Sequence, residues 1–372
     1  MNHVVVAPDK FKGSLTAREV ATHLAAGIAE VAPDVEVRLA PIADGGDGTL
    51  EAALSAGFRR VPVRAAGPTG RPLDTAYAER DGTAVVELAD ASGLRRLPDG
   101  PAPLTASSQG TGEVIRAALT AGCHTVVLGL GGSAGTDGGA GMVRALGARL
   151  VDEAGRPVGP GGAALARAAE LDLSGLHPAV ASTRFVLATD VDNPLLGPTG
   201  AAAVYGPQKG AAPADVAVLE AGLRRWAELV TRVVGRDLTG APGAGAAGGV
   251  GFGALAVLGA EPRSGVEFLL DLLDVRTALS GARLAVTGEG SLDAQTLRGK
   301  APAGLAAAAR ALGVPVVAVA GQVSVDRAVL RGAGVERAYP LTDLEPDLAR
   351  CITQAGPLLR RLGARVAREW LL

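Results

Sequence analysis

Near its start the chain reads Val4-Val5-Val6-Ala7-Pro8-Asp9-Lys10, an apolar run that stops at a proline followed by charged residues. A continuous apolar run is typical of a strand buried on both faces in a parallel sheet. Thr16-Ala17-Arg18-Glu19 then predicts the first turn of a helix, because the threonine hydroxyl and the glutamate carboxylate can both bind free backbone amides there. A second strand over residues 35–42 and a glycine-rich loop at 44–49 follow. The segment therefore predicts two βα units of an α/β fold.

The two ends of the chain are alike and differ from its middle. Apolar runs that alternate with helical patterns in the last part of the chain repeat the βα style of the first. Between residues 61 and 88, short alternating stretches separated by glycine turns predict antiparallel hairpins instead. We therefore predict one domain formed by residues 1–64 and 283–372, with residues 65–282 inserted as a second α/β domain.

Composition narrows the class of protein. Apolar residues make up 48% of the 372 residues, which is enough to bury a core and excludes a disordered chain. Basic and acidic residues nearly balance, at 36 and 38, whereas nucleic-acid and anionic-membrane binders carry a basic surplus. Cys123 and Cys351 lack the spacing of a thiolate metal site, and no long apolar stretch predicts a membrane span. We expect a cytoplasmic globular protein that binds neither nucleic acid nor membrane.

Six loops rich in glycine and polar residues stand out, several of them directly after a predicted strand. They are residues 9–14, 44–49, 107–112, 129–141, 189–194 and 287–293. In open α/β sheets, ligands bind at the carboxyl ends of the strands, where such loops converge. A plain turn explains any one loop equally well, whereas all six together favour a ligand site.

Lysine is rare and is confined to such loops. Four of the 36 basic residues are lysines, namely Lys10, Lys12, Lys209 and Lys300, and each has glycine close by. Ammonium groups, backbone amides and paired aspartates are what phosphoryl transfer requires, because they neutralise phosphate oxygens, hold Mg²⁺ and accept a proton. A Walker A motif is missing, since Gly299-Lys300 is followed by Ala301. A phosphate site in this chain must therefore be of another type.

Two rival motifs overlap on the loop at 129–141. Gly129-Leu130-Gly131-Gly132-Ser133-Ala134 matches a dinucleotide-binding fingerprint, which would indicate an NAD-dependent oxidoreductase. Gly131-Gly132-Ser133-Ala134-Gly135 spells a nucleophile elbow, which needs a histidine further along, and His177 is the sole histidine after Ser133. A non-catalytic two-domain protein that binds anions is a third alternative, although it would have no use for the acidic residues in the other loops.

Six blocks of the sequence closely resemble the bacterial glycerate kinase family, in the group with two α/β domains. The blocks are Ala7–Leu15, Pro41–Thr49, Gly129–Gly141, Ala188–Leu195, Tyr205–Gly210 and Val286–Lys300, and they span nearly the whole chain in order. The resemblance implies a Rossmann- or flavodoxin-like domain from both chain ends, an inserted second α/β domain and an active site in the cleft between them. It also implies that D-glycerate is phosphorylated with ATP and Mg²⁺, usually to 2-phosphoglycerate, with 3-phosphoglycerate assigned to some relatives.

On this resemblance we assign roles to individual residues. Asp190 is expected to accept the proton of the glycerate hydroxyl, although Asp192 could exchange roles with it. The expected catalytic cations are Lys10 and Lys12, and the expected Mg²⁺ ligands are Asp44 and Asp47. The expected substrate-binding residues are Asp9, Ser14, Asp192, Asn193, Lys209, Ser133, Gly135, Thr136 and Asp137. The expected ATP-binding residues are Gly45, Gly46, Glu289, Ser291, Asp293 and Lys300. The oligomeric state stays open, with a homo-oligomer among the states allowed.

Overall fold

The structure is a computed structural model that describes residues 3–294, 296 and 300–372. Contacts between Cα atoms divide the chain into two compact units. The first unit is Met1–Asp44, Glu51–Gly57 and Ser264–Leu372, and the second is Gly45–Leu50 and Phe58–Arg263. Residues 264–282 thus group with the chain ends. The domain boundaries that we expect from the sequence stay a prediction.

The chain alternates strands and helices along most of its length. The strands are β1 (His3–Val6), β2 (Glu36–Leu39), β3 (Arg59–Ala66), β4 (Pro72–Arg80), β5 (Thr83–Glu87), β6 (Thr125–Gly129), β7 (Arg149–Val151), β8 (Glu170–Asp172), β9 (Arg184–Ala188), β10 (Glu261–Arg263), β11 (Leu284–Leu292), β12 (Val316–Val323) and β13 (Arg337–Pro340). The helices are α1 (Ala17–Val31), α2 (Thr49–Ser55), α3 (Leu88–Ser92), α4 (Gln109–Thr120), α5 (Ala140–Ala145), α6 (Ala201–Tyr205), α7 (Pro213–Val234), α8 (Ala246–Val257), α9 (Gly265–Leu272), α10 (Val275–Leu279), α11 (Ala301–Ala311), α12 (Arg327–Gly332), α13 (Leu348–Thr353) and α14 (Ala355–Trp370). Across the described ranges, none of these helices combines the length and apolar character that a bilayer crossing requires.

The first unit contains a five-stranded parallel sheet in the order β13-β12-β11-β1-β2. Numbered within this unit, the strand order is 2-1-3-4-5, which is the flavodoxin-like order. Val4, Val5 and Val6 of the interior strand β1 are fully buried, as a continuous apolar run predicts. The predicted α/β class is therefore confirmed, and this sheet has its topological switch point between β1 and β11.

Helix α1 begins at the predicted capping box and packs against α14. Thr16 Oγ1 accepts a hydrogen bond from the Glu19 amide, and the Thr16 amide donates to the Glu19 carboxylate. A Cβ added at Gly27 would lie 1.9 Å from the Arg360 carbonyl oxygen. Glycine is required at this position because the two helix backbones approach too closely for any side chain.

Strand β11 is longer than the sequence indicates. The glycine-rich stretch at 287–293, which we expect to be a loop, continues as strand to Leu292 and pairs with β12. The glycines bring the two strands together: a Cβ at Gly288 would lie 2.3 Å from the Val319 carbonyl oxygen, and one at Gly321 would lie 2.4 Å from that of Gly290. Glycine in a strand marks a close backbone approach as readily as it marks a turn.

The second unit contains a six-stranded mixed sheet in the order β10-β9-β6-β5-β4-β3. The predicted hairpins are confirmed, because β3–β4 and β4–β5 pair antiparallel. Strands β5, β6, β9 and β10 are parallel, so their carboxyl ends lie along one edge. The fully buried Trp226 of α7 donates from its ring nitrogen to the Gly138 carbonyl at 2.9 Å. This contact fixes the loop that follows β6.

Candidate active site

In the first unit, the loop after β1 and the end of β11 meet at the switch point of the sheet. The Asp9 amide donates to the Gly288 carbonyl at 2.8 Å, which places Asp9 directly beside the strand that carries Glu289. Ligands of doubly wound sheets bind in the crevice at such a point. We call Asp9, Lys10, Asp44 and Glu289 the switch-point cluster.

Asp9 is a buried carboxyl group at the centre of this cluster. It is 6% exposed, and its Oδ1 accepts a hydrogen bond of 2.6 Å from the Lys10 amide and lies 3.7 Å from Lys10 Nζ. Burial, helped by the charges of Asp44 and Glu289, raises the pKa of Asp9 to about 7 against the opposing charge of Lys10. The site thus concentrates negative charge that a bound cation or proton would relieve.

Glu289 has one carboxylate oxygen paired and one unpaired. Its Oε2 lies 3.9 Å from Lys300 Nζ, and burial raises the pKa of the group. Within the described residues, its buried Oε1 makes no hydrogen bond. Lys300 occupies the N-cap position of α11, and Gly299 beside it lies outside the described residues.

Four other predicted residues of this unit lie in local turns or on its surface. Ser14 donates to the Ile352 carbonyl at 2.7 Å, and Lys12 is exposed. Asp293 exchanges hydrogen bonds with Thr296, and Ser291 accepts one from Gln322. The contacts of Ser14 and Ser291 join segments that are distant in the sequence.

In the second unit, the segment Gly45–Leu50 lies across the carboxyl ends of three parallel strands. A Cβ at Gly45 would lie 2.6 Å from the Ala188 carbonyl oxygen at the end of β9, and the Gly131 amide donates to the Gly45 carbonyl. A Cβ at Gly131 would lie 2.3 Å from the Cα atom of Gly46. Glycines on both sides therefore allow the two loops to touch along their backbones.

We call residues 131–139, which follow β6, the glycine loop; a buried lysine and a buried aspartate hold it. Lys209 is 1% exposed, and its Nζ donates to Ser133 Oγ at 2.7 Å and to the Gly135 carbonyl. Burial lowers the pKa of Lys209 to about 7 against the opposing charge of Asp137. The carboxylate of Asp137, which is 2% exposed, accepts hydrogen bonds from Ser107, Ser108, Gly139 and Gly141. Four predicted substrate-binding residues thus belong to one buried network around the loop.

Thr136 also belongs to the glycine loop. It is fully buried, and in the described part of the chain its hydroxyl oxygen has no hydrogen-bond partner. Ser133 is bonded to Lys209, whereas His177 contacts Ala179 and Thr120. The pairing of Ser133 with a histidine that a nucleophile elbow needs is therefore not formed among the described residues.

The loop after β9 carries the predicted base. Asp190 and Asp192 are exposed. Asn193 donates to the Thr199 carbonyl at 2.8 Å and accepts from the Tyr205 hydroxyl at 2.7 Å. These two bonds fix the loop directly after the aspartates. Burial and the nearby charge of Asp192 raise the pKa of Tyr205.

Sequence reasoning missed three charged residues, Glu87, Asp90 and Arg95, which group with the predicted Asp47 at the end of β5. Glu87, Asp90, Arg95 and Asp47 form this arginine–carboxylate cluster, in which Arg95 lies within ion-pair distance of all three carboxylates. Burial raises the pKa of Glu87 to about 7, against hydrogen bonding to Leu50 and the charge of Arg95. Arginine is common in this sequence, so composition offered no signal for Arg95, unlike the rare lysines.

A scan against protein-family models matches residues 4–371 to the glycerate kinase family. The chain belongs to that family. The resemblance drawn from the six sequence blocks is thereby confirmed.

Relatives from the glycerate kinase family match this chain over nearly its full length. Glycerate kinase of Bacillus subtilis (strain 168) is 40% identical over 98% of this chain and 96% of the relative. Glycerate 2-kinase of Escherichia coli (strain K12) is 41% identical over 90% of this chain and 89% of the relative. A crystal structure from Salmonella typhimurium LT2, described as "putative glycerate kinase 2", matches with a TM-score of 0.85 and 40% identity, covering 99% of this chain and 98% of the other.

The family implies a divalent cation, and the switch-point cluster fits one. In the part of the chain that the structure describes, no three His, Cys, Asp or Glu side chains are grouped as ready-made metal ligands. Mg²⁺ is commonly held by one or two carboxylates together with substrate phosphates, so a protein cage is not required. Two observations fit a bound cation here: the buried Oε1 of Glu289 makes no hydrogen bond among the described residues, and the pKa of Asp9 is raised.

Proposed function

We propose that this chain transfers the γ-phosphoryl group of ATP to the 2-hydroxyl of D-glycerate, giving 2-phospho-D-glycerate and ADP. The observation that carries the proposal is the match over 90% of the chain to a relative named glycerate 2-kinase. The family match over residues 4–371 supports the same reaction type. Phosphorylation at the 3-hydroxyl is the alternative.

In the proposed reaction Asp190 accepts the proton of the 2-hydroxyl. The hydroxyl oxygen forms a bond to the γ-phosphorus as the bond from that phosphorus to the β–γ bridging oxygen breaks, and ADP leaves. The protein mainly positions the groups and neutralises their charge, because phosphoryl transfer asks for little covalent chemistry from an enzyme. Asp192 is the rival for the role of base, since it is also exposed and lies in the same loop.

The other predicted site residues lie in loops at the carboxyl ends of the strands, and we assign each a role. We propose that Lys10, Lys12 and Lys300 contact phosphate or carboxylate groups, and that Asp44 and Asp47 hold Mg²⁺, which neutralises phosphate charge when bound. Ser133, Gly135, Thr136 and Asp137 shape the glycine loop, whose amides bind an anion, and Lys209 acts through that loop because it is buried.

An ADP-release assay tests this function. We expect ADP formation that depends on both D-glycerate and Mg²⁺, and a phosphorus NMR signal from the product phosphorylated at position 2. A signal from position 3 would select the alternative reaction. Absence of glycerate-dependent ADP would reject the kinase proposal in favour of a non-catalytic anion-binding protein.

A further inference from the structure

The buried carboxylate of Glu87 holds the segment at residues 45–50. Its Oε2 accepts hydrogen bonds from the Leu50 amide at 2.9 Å and from the Gly48 amide at 3.1 Å. The other oxygen, Oε1, accepts one from Arg95 Nη2 at 2.8 Å. The Glu87 side chain is 1% exposed, so it is shielded from solvent. Donors thus engage both oxygens of this carboxylate, and two of these donors belong to the backbone of the segment.

The segment also has a fixed shape of its own. Thr49, which is fully buried, donates from Oγ1 to the Gly46 carbonyl at 2.7 Å. Gly45 and Gly48 have φ values of +86° and +95°, a conformation that glycine adopts at little cost. This internal hydrogen bond and the two bonds to Glu87 together hold the backbone of the segment on both sides of Asp47.

Asp47 lies in the middle of this segment, and its carboxylate lies against the glycine loop. A Cβ added at Gly132 would lie 2.9 Å from Asp47 Oδ1 and 3.1 Å from Oδ2. Both carboxylate oxygens are therefore close to the backbone of the loop at this position. The Asp47 side chain is 29% exposed, so a ligand can reach it, whereas the Glu87 side chain is enclosed.

The charge of the arginine–carboxylate cluster favours a cation over an anion at Asp47. Arg95 lies within ion-pair distance of all three carboxylates, and Arg96 also pairs with Asp90. These five side chains therefore carry one more negative than positive charge when all of them are ionised. Since Glu87 and Asp90 are buried, a ligand reaches this negative charge at Asp47.

We propose that Glu87 is a positioning residue, which fixes the segment at 45–50 and so holds the Asp47 carboxylate beside the glycine loop to bind a divalent cation. This inference rests on the proposed function, which assigns Asp47 to Mg²⁺. Glu87 acts through the backbone of the segment, because it is buried and bonded to the Gly48 and Leu50 amides. A metal ligand that is already held in place needs little reorganisation when the metal binds.

The test measures Mn²⁺, as a substitute for Mg²⁺, bound to the wild type and to Glu87→Gln. Equilibrium dialysis with saturating ADP on both sides of the membrane counts the Mn²⁺ that the protein holds, and it needs no turnover. The NH₂ group of the glutamine must face either the two backbone amides or Arg95, so a donor meets a donor and the segment loses support. We expect Mn²⁺ to bind about 10-fold more weakly, at the lower end of the usual effect of residues that support metal ligands. Binding of ADP without metal should not change.

Asp90→Asn is the matched control. Asp90 is also buried and also pairs with Arg95, but its other oxygen accepts from Thr75 Oγ1 of β4 instead of from the segment at 45–50. The variant removes one negative charge from the same cluster, so a purely electrostatic effect on the cation would appear in both variants. Asp90→Asn should change Mn²⁺ binding by no more than about 2-fold, the usual limit for residues that do not couple.

A double-mutant cycle determines whether Glu87 acts through Asp47. In the Asp47→Asn background, Glu87→Gln should change Mn²⁺ binding by less than about 2-fold, because the carboxylate that it positions is already lost. A general structural defect would persist in that background. Unchanged Mn²⁺ binding in Glu87→Gln, an equal loss in Asp90→Asn, or an undiminished effect in the Asp47→Asn background would each overturn the inference.

A second variant keeps the test valid if Glu87→Gln does not fold. Glu87→Asp retains the charge but is shorter by one methylene, so it cannot reach the backbone amides and Arg95 together, and it should weaken Mn²⁺ binding by about 10-fold. A wild type that binds no Mn²⁺ would reject the inference. The ADP-release assay on the wild type decides the proposed function separately, because dialysis does not depend on glycerate.

Discussion

Among the ionisable groups buried at the carboxyl edges of the two sheets are an acid and a base that can be compared directly. The acid is Asp9 in the first unit, and the base is Lys209 in the second. Burial disfavours the charged form in both cases, so it raises the pKa of Asp9 and lowers that of Lys209, each to about 7. The same physical cause thus moves the pKa of an acid and the pKa of a base to nearly the same value.

The surroundings of the two groups differ. Asp9 is surrounded by charges, those of Lys10, Asp44 and Glu289, whereas Nζ of Lys209 is bonded to a hydroxyl and a backbone carbonyl. Burial is thus the largest cause of both shifts, although the polar neighbours differ in kind. The comparison teaches that a buried group reaches a pKa near 7 either among charged side chains or among neutral hydrogen-bond partners.

The largest expected effect is on the pH dependence of stability in Lys209→Met. Because the pKa of Lys209 is lowered from 10.5 to about 7 in the folded state, the unfolded chain binds a proton that the folded chain has lost between these values. The free energy of unfolding of the wild type, relative to the variant, should therefore rise from pH 7 towards 10.5, by at most about 1.4 kcal/mol per pH unit. Urea denaturation of both proteins from pH 6 to 10 measures this difference in the free energy of unfolding. The exposed Lys12→Met is the control, and a flat difference for Lys209→Met would contradict the buried-amine assignment.

The comparison of the wild type with Asp9→Asn should show a pH dependence of stability of the opposite sign, over a slightly narrower pH range. The pKa of Asp9 is raised from 3.8 to about 7, so between these values the folded chain keeps a proton that the unfolded chain releases. The stability of the wild type relative to the variant should fall as the pH rises from about 4 to 7, with the same limiting slope, and stay level above pH 7. The measurement is urea denaturation in EDTA without nucleotide. The exposed Asp34→Asn is the control, and a wild-type advantage that grows with pH would contradict the raised pKa of Asp9.

Replacing the proposed catalytic base should change the activation free energy by less than the two stability effects above. Asp190→Asn should lower kcat at least ~100-fold, on the usual scale for a positioned general base, with little change in the folded structure. Asp192→Asn is the matched control, since both residues are exposed in the same loop, and it should lower kcat by less than about 10-fold. The reverse order of the two variants would assign the base to Asp192.

Local patterns predicted the elements of this fold well. The apolar run at Val4–Val6 became a buried interior strand, and the capping box at Thr16 became a helix start with both of its hydrogen bonds. Such features depend on neighbours within a few residues, so the sequence shows them directly. The stretch around Gly288 was wrongly predicted as a loop, because the atom that requires glycine there belongs to Val319 of β12, which lies further along the chain.

The candidate site was predictable only in part. The rarity of lysine pointed to Lys10 and Lys209, and the structure places them beside Asp9 and Ser133. Arg95 gave no such signal, because its partners Glu87 and Asp47 come from β5 and from the segment at 45–50. A side chain whose importance comes from partners elsewhere in the chain looks ordinary in the sequence.

The amino-acid sequence by itself determined the order of strands and helices, the glycine-rich loops at the strand ends and the family. These follow from periodicity, capping residues and motif blocks, all of which are written along the chain. The tertiary structure alone decided the pKa shifts of Asp9 and Lys209, the ion pairs of Arg95 and the role of each glycine that a neighbouring backbone touches. Those properties depend on distance through space and on exclusion from water, and residues far apart in the sequence set both.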